Sequence, residues 1–129
     1  MDTREKILPV SSLPAVLSSG EWTIVVGSFD PLTAAQARRI ASLYTPGTKL
    51  LVVVVSDEDS LLDAGARAAL VAALREVACV IVADDDSWRS ALPSTPRIRL
   101  VEDPEGERRR SAEFVRFVID RYDSAQTAR

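Results

Sequence analysis

The sequence predicts an α/β domain in which a parallel sheet of four to five strands is covered by helices on both faces. Three observations predict it. Short β-branched and aliphatic runs alternate with segments of helical apolar spacing from end to end. The runs Leu50 to Val55 and Cys79 to Ala83 are apolar at every position, as strands buried on both faces must be. Helical segments separate the strand-like runs, as the crossovers of a parallel sheet require.

Taken in order, Ser11 to Ser19 holds Leu13, Val16 and Leu17 at helical spacing, with serines placed to cap it and Pro14 tolerated in a first turn. Trp22 to Val26 is the first expected strand and ends at Gly27. Ala34 to Tyr44 puts Ala37, Ile40, Ala41 and Tyr44 on one helical face, opposite Arg38 and Arg39, and Pro46-Gly47 closes it. Leu50 to Val55 is the second strand. Ala64 to Val77 carries a helical stripe of Leu70, Val71, Leu74 and Val77, and Cys79 to Ala83 is the third strand. Ser87 to Leu92 has room for one helical turn before Pro93 and Pro96. Arg97 to Glu102 reads as a fourth strand, and Ser111 to Tyr122 as a final helix with Phe114, Val115, Val118, Ile119 and Tyr122 facing in. Arg116 and Asp120 form an exposed pair on its outer face. With four strands the expected order is 3-2-1-4, a Rossmann-like three-layer sandwich whose ligands sit beyond the carboxyl end of the first strand. Val25, Leu51, Val53, Leu70, Leu74, Val80, Ile81, Phe114 and Val118 are the expected core.

Composition narrows the chemistry. The chain has 129 residues, enough for one domain, and residues 123–129 read as a flexible tail. There is no histidine and one cysteine, Cys79. That excludes a Ser-His-Asp triad, a Cys-His pair, an intrachain disulfide and thiolate- or imidazole-rich metal sites. No run approaches a membrane span, and the mixed charges of the first ten residues do not make a signal peptide, so a cytoplasmic location is expected. Net charge is −3, although lysine occurs only as Lys6 and Lys49 among 16 basic residues. Global attraction to nucleic acid is not expected, and Trp22 and Trp88 lack the basic interleaving of a stacking platform. Any chemistry must use backbone N–H groups, hydroxyls, carboxylates, arginines or a bound metal.

The segment after the first strand is Gly27-Ser28-Phe29-Asp30-Pro31-Leu32-Thr33-Ala34-Ala35-Gln36. A glycine here suits a sharp exit from the sheet, and a helix opening near Thr33 turns free N–H groups and a positive dipole end toward the crevice, which favours phosphate. Thr33-x-x-Gln36 is also a capping box in its own right. Both readings are open at this level.

The string GSFDPLTAAQ resembles the GxFDxxHxGH signature of the cytidylyltransferase-like nucleotidyltransferases. Outside the motif, KILPVSSLPAVL, LLVVVVSDED and ARAALVAALREVACVIV resemble the heptose-1-phosphate adenylyltransferase branch, and Arg109 to Val115 is similar to the turn that opens that family's last helix. The resemblance covers roughly residues 5–120. It implies transfer of AMP or CMP from a nucleoside triphosphate to a small sugar or alcohol phosphate, with Mg²⁺ accompanying the nucleotide. It also implies a nucleotide or phosphate site built from Gly27, Ser28, Phe29, Asp30, Thr33, Gln36, Arg110 and Ser111. The expected partner is a nucleoside triphosphate or another phosphate ligand, with a homodimer as a further expectation and neither nucleic acid nor membrane among the partners.

The departures from the pattern concern catalysis. The family's two histidines align with Thr33 and Gln36, and the glycine between them with Ala35. Neither replacement is a cation, and a neutral donor contributes less to a phosphate oxygen than a charged one. The basic loop expected after Asp57 is replaced by Glu58-Asp59-Ser60-Leu61-Leu62-Asp63, and a Lys-Gly-Asp unit expected after the third strand is missing. Asp57, Glu58 and Asp59 suit either Mg²⁺ beside a ligand phosphate or a solvated capping loop. Asp84-Asp85-Asp86 fits a helix cap. Arg108-Arg109-Arg110 fits a phosphate clamp or a solvated turn. The sequence therefore predicts a nucleotide- or phosphate-binding pseudoenzyme with absent or weak transfer, and an active transferase as the alternative.

Overall fold

The computed structural model describes residues 2–56, 62–93 and 97–102, together with Arg116 and Ile119, which are helical. Within these residues the strands are β1 (Ile7–Leu8), β2 (Glu21–Gly27), β3 (Thr48–Val55), β4 (Val77–Ala83) and β5 (Ile98–Glu102). The α-helices are α1 (Leu13–Leu17), α2 (Ala34–Ser42) and α3 (Ala64–Ala72), and a 3-10 segment spans Asp86–Ala91. The five strands form one sheet in the order β1-β4-β3-β2-β5, with every pair parallel. The expected order is present within it, and the short β1 adds a fifth strand beside β4. The strand expected to come first is therefore β2. Its neighbours are β3 and β5, so the chain reverses its direction of travel across the sheet there.

Side-chain alternation sorts the core into two layers. Trp22, Ile24, Val26, Leu51, Val53, Cys79, Ile81 and Ala83 pack with Leu13 and Leu17 of α1 and with Trp88. Val25, Leu50, Val52, Val54, Val77 and Val80 pack with Phe29, Ile40 of α2, and Ala68, Val71 and Ala72 of α3. Successive β residues face opposite sides, so Val77 and Val80, three apart, share a face only through an irregularity. The register supplies it: Leu50 pairs with Val77 and Leu51 with Cys79, leaving Ala78 as the extra residue of a bulge.

Val25, Leu51, Val53, Val80 and Ile81 are buried as expected. The stripe expected on Ala64 to Val77 is not the one observed. Leu70 is 46% exposed, Leu74 is half-buried, and Val77 belongs to β4. The buried face of α3 is Arg67, Ala68, Val71 and Ala72, whose two alanines permit closer approach to the sheet than leucines would. Tyr44 lies beyond the end of α2 and is 52% exposed, and Ile119 is 53% exposed rather than inward. Phe114, Val115, Val118, Asp120 and Tyr122 lie outside the described residues. Ser12 precedes α1 but makes no side-chain cap bond. Cys79 is buried, and burial pushes its thiol pKa up, so it is a core residue and not a nucleophile. Among the described residues no helix is long and apolar enough to cross a membrane.

The new stripe has a testable consequence. Val71→Ala should cost about 1–3 kcal/mol, while Leu70→Ala should stay within about 0.5 kcal/mol. Urea unfolding of both variants measures the contrast, and equal losses would return Leu70 to the core.

Candidate functional site at the carboxyl edge of the sheet

The turn after β2 is built from buried groups. Gly27 is still in the strand, paired with Val54. The residue that takes the left-handed conformation is Phe29, at φ +49°, and not the glycine that the sequence suggested for the sharp exit. The Phe29 side chain enters the core between β2 and α2, which holds that conformation in place. Asp30 is buried, is followed by a cis bond to Pro31, and accepts a 2.8 Å hydrogen bond at Oδ1 from the Leu62 N–H. Leu32 is half-buried against the same core.

Thr33 and Gln36 form the capping box. The Gln36 N–H donates to Thr33 Oγ1 at 3.2 Å, and the Thr33 N–H donates to Gln36 Oε1 at 3.1 Å. Thr33 Oγ1 also lies 3.4 Å from Gln36 Oε1. Both side chains that align with family histidines therefore bond within the first turn of α2. Removing the cap, as in Thr33→Ala, should lower stability by about 1 kcal/mol, and Thr33→Ser should restore most of it. Thermal unfolding of the pair reads the difference.

Behind the turn lies a residue that the sequence reading passed over. Arg67, on the inner face of α3, is 1% exposed. Its Nη1 donates to the Ser28 carbonyl at 2.7 Å and to the Val55 carbonyl at 2.8 Å, and its Nε donates to the Leu62 carbonyl at 3.1 Å. The guanidinium thus ties the exits of β2 and β3 to the approach to α3. Leu62 is held at both ends, its N–H by Asp30 and its C=O by Arg67. The signal in the sequence was a charged residue in helical phase with Val71, four positions on.

The capping role expected of the Asp84–Asp86 run is present: Asp85 accepts from the Ser87 N–H at 2.9 Å, and the Ser87 side chain together with that N–H holds its carboxyl below the usual range. Arg89 stacks over the Trp88 ring at 4.6 Å and pairs with Glu102 through two bonds of 2.9 and 2.8 Å, so the 3-10 segment is fastened to the end of β5. That pair lowers the Glu102 pKa.

The carboxyl edge therefore brings together Gly27, Ser28, Phe29, Asp30, Thr33 and Gln36, with Phe29 facing the core. Arg110 and Ser111 lie outside the described residues, as do Arg108, Arg109, Asp57, Glu58 and Asp59. At the switch point a narrow, mainly apolar cleft between α2, β2 and β5 is lined by Val25, Val26, Phe29, Gln36, Arg39, Ile40 and Val101, with room for about one water. A wider groove of about 340 Å³ lies at the opposite edge, beside Tyr44, Gly47 and Arg75, away from every motif residue. Among the described residues no three carboxylate or cysteine groups cluster as a metal site would require. Comparison with known protein families and with curated proteins gives no match.

Proposed function

We propose that the chain is a nucleotidyltransferase-like domain that binds a nucleotide or another phosphate ligand at the carboxyl edge of its sheet without transferring the nucleotidyl group efficiently. One observation carries this reading. The side chains at the two positions where the resembled family has histidines are bonded to the first turn of α2, while that helix opens beside the switch strand β2. A helix N-terminus at a switch point favours an anion through its N–H groups and dipole. Neutral Thr33 and Gln36 side chains cannot match a cation in stabilising charge as pyrophosphate departs.

Magnesium does not fit the described residues as a resident ion, since they supply no carboxylate cluster and Asp30 already accepts the Leu62 N–H. It enters this proposal as part of the ligand, carried by the nucleotide's phosphates. Cytoplasmic residence and a homodimeric state belong to the same proposal.

Thermal unfolding with ligand tests it. ATP with Mg²⁺, or pyrophosphate, should raise the midpoint by several degrees at about a hundredfold excess over Kd, equivalent to about 2.7 kcal/mol. Sodium chloride of equal ionic strength should not. An unchanged midpoint at millimolar ligand would leave the GSFD turn with a purely structural role.

A further inference from the structure

We infer that Arg67 is a buried cation of the phosphate crevice, acting as a positioning residue from beneath its floor and not from within the Gly27–Gln36 motif. The inference rests on the phosphate-binding reading above. Removing a guanidinium from water costs several kcal/mol, and a carboxylate partner is the common compensation. Arg67 has none. Its three bonds all end on main-chain carbonyls, and no ion pair accompanies them among the described residues. Asp30 bonds to the same residue, at the Leu62 N–H, without pairing with the guanidinium.

Those three oxygens belong to Ser28, Val55 and Leu62, at the exits of the adjacent strands β2 and β3 and the approach to α3. Each carries a partial negative charge, and together they would oppose an anion at this edge. Arg67 occupies all three and adds a full positive charge. Being buried, that charge is screened less by salt than a surface arginine would be. It is bonded to Ser28, five residues before Thr33, so it supports the turn leading into α2 as well as its field. The motif itself contains no cation between Gly27 and Gln36. Arg67 supplies on the scaffold what the motif lacks. The ligand class this favours is a multiply charged phosphate, such as pyrophosphate or the triphosphate of a nucleotide, over a neutral nucleoside.

The test titrates pyrophosphate into the full chain and into Arg67→Met and Arg67→Lys by calorimetry at two salt concentrations, with folding checked by circular dichroism. Arg67→Lys keeps the charge but loses the fork, and its Kd should rise by no more than about threefold. Arg67→Met, folded but less stable, should bind about tenfold more weakly or worse at both salt concentrations, because a buried charge is little screened. A folded Arg67→Met with unchanged affinity would overturn the inference and leave the phosphate reading intact. Absence of binding by the unsubstituted chain would overturn both. If Arg67→Met does not fold, Arg67→Lys decides, and a loss of about tenfold or more in that variant contradicts the charge role. If neither variant folds, the unsubstituted chain decides: adenosine bound as tightly as pyrophosphate would contradict it.

Discussion

Pyrophosphate release from ATP or CTP, with sugar or alcohol phosphates as acceptors and Mg²⁺ present, should remain at background. Transfer at the α-phosphate builds negative charge as pyrophosphate departs, and the groups that meet that charge must be donors placed for it in advance. At the two positions in question this chain has Thr33 and Gln36, whose oxygens already accept each other's backbone N–H groups. Their donors are uncharged. Losing even one such donor costs roughly 10²–10³ in rate in other enzymes, and here two positions are altered together. The expected rate is therefore far below the ordinary range of about 1–10³ s⁻¹. Turnover within that range would establish the active-transferase alternative and would require a cation at the α-phosphate.

Trp88→Ala should destabilise the fold by about 3–5 kcal/mol, a large share of a small domain's stability. Trp88 is 2% exposed and heads the fully buried side chains by volume. It fills the layer between the sheet and α1, packed with Leu13, Leu17 and the inner residues of β2, β3 and β4. Among the described residues its Nε1 has no hydrogen-bond partner, so there the indole contributes volume and not a polar bond. Trp88→Phe should therefore cost no more than about half as much, because it leaves a smaller cavity and removes a buried donor that is unsatisfied. Equal losses for the two variants in urea unfolding would mean that the indole N–H finds a partner in solution.

The sheet was legible in the sequence because its strands are buried on both faces. Leu50 to Val55 and Cys79 to Ala83 admit few other structures, and the parallel order follows from the helices between them. The short β1 was not legible: two residues, Ile7 and Leu8, carry no periodicity. The inward face of α3 was misread for a physical reason. Residue size pointed to Leu70 and Leu74, but close packing of helix on sheet favours Ala68 and Ala72, which turns the stripe and carries Arg67 inward.

The capping box at Thr33 and Gln36 could be read from spacing alone. The position of the left-handed residue could not, because Gly27 is the residue that tolerates it at no cost, whereas Phe29 adopts it through burial of its ring. Arg67 escaped notice because its three partners are carbonyls, which leave no mark in side-chain identity. The resemblance to nucleotidyltransferases called attention to the loop after β2, whereas the Arg67 guanidinium that holds it bonds backbone carbonyls of three separate segments.

The most direct test of a phosphate site at this edge is an amide NMR titration with pyrophosphate, and with ATP and Mg²⁺. The account predicts saturable shifts centred on Ser28 to Gln36 at the start of α2, with Tyr44, Gly47 and Arg75 at the opposite edge unaffected. Shifts confined to that opposite groove, or none at millimolar ligand, would contradict it.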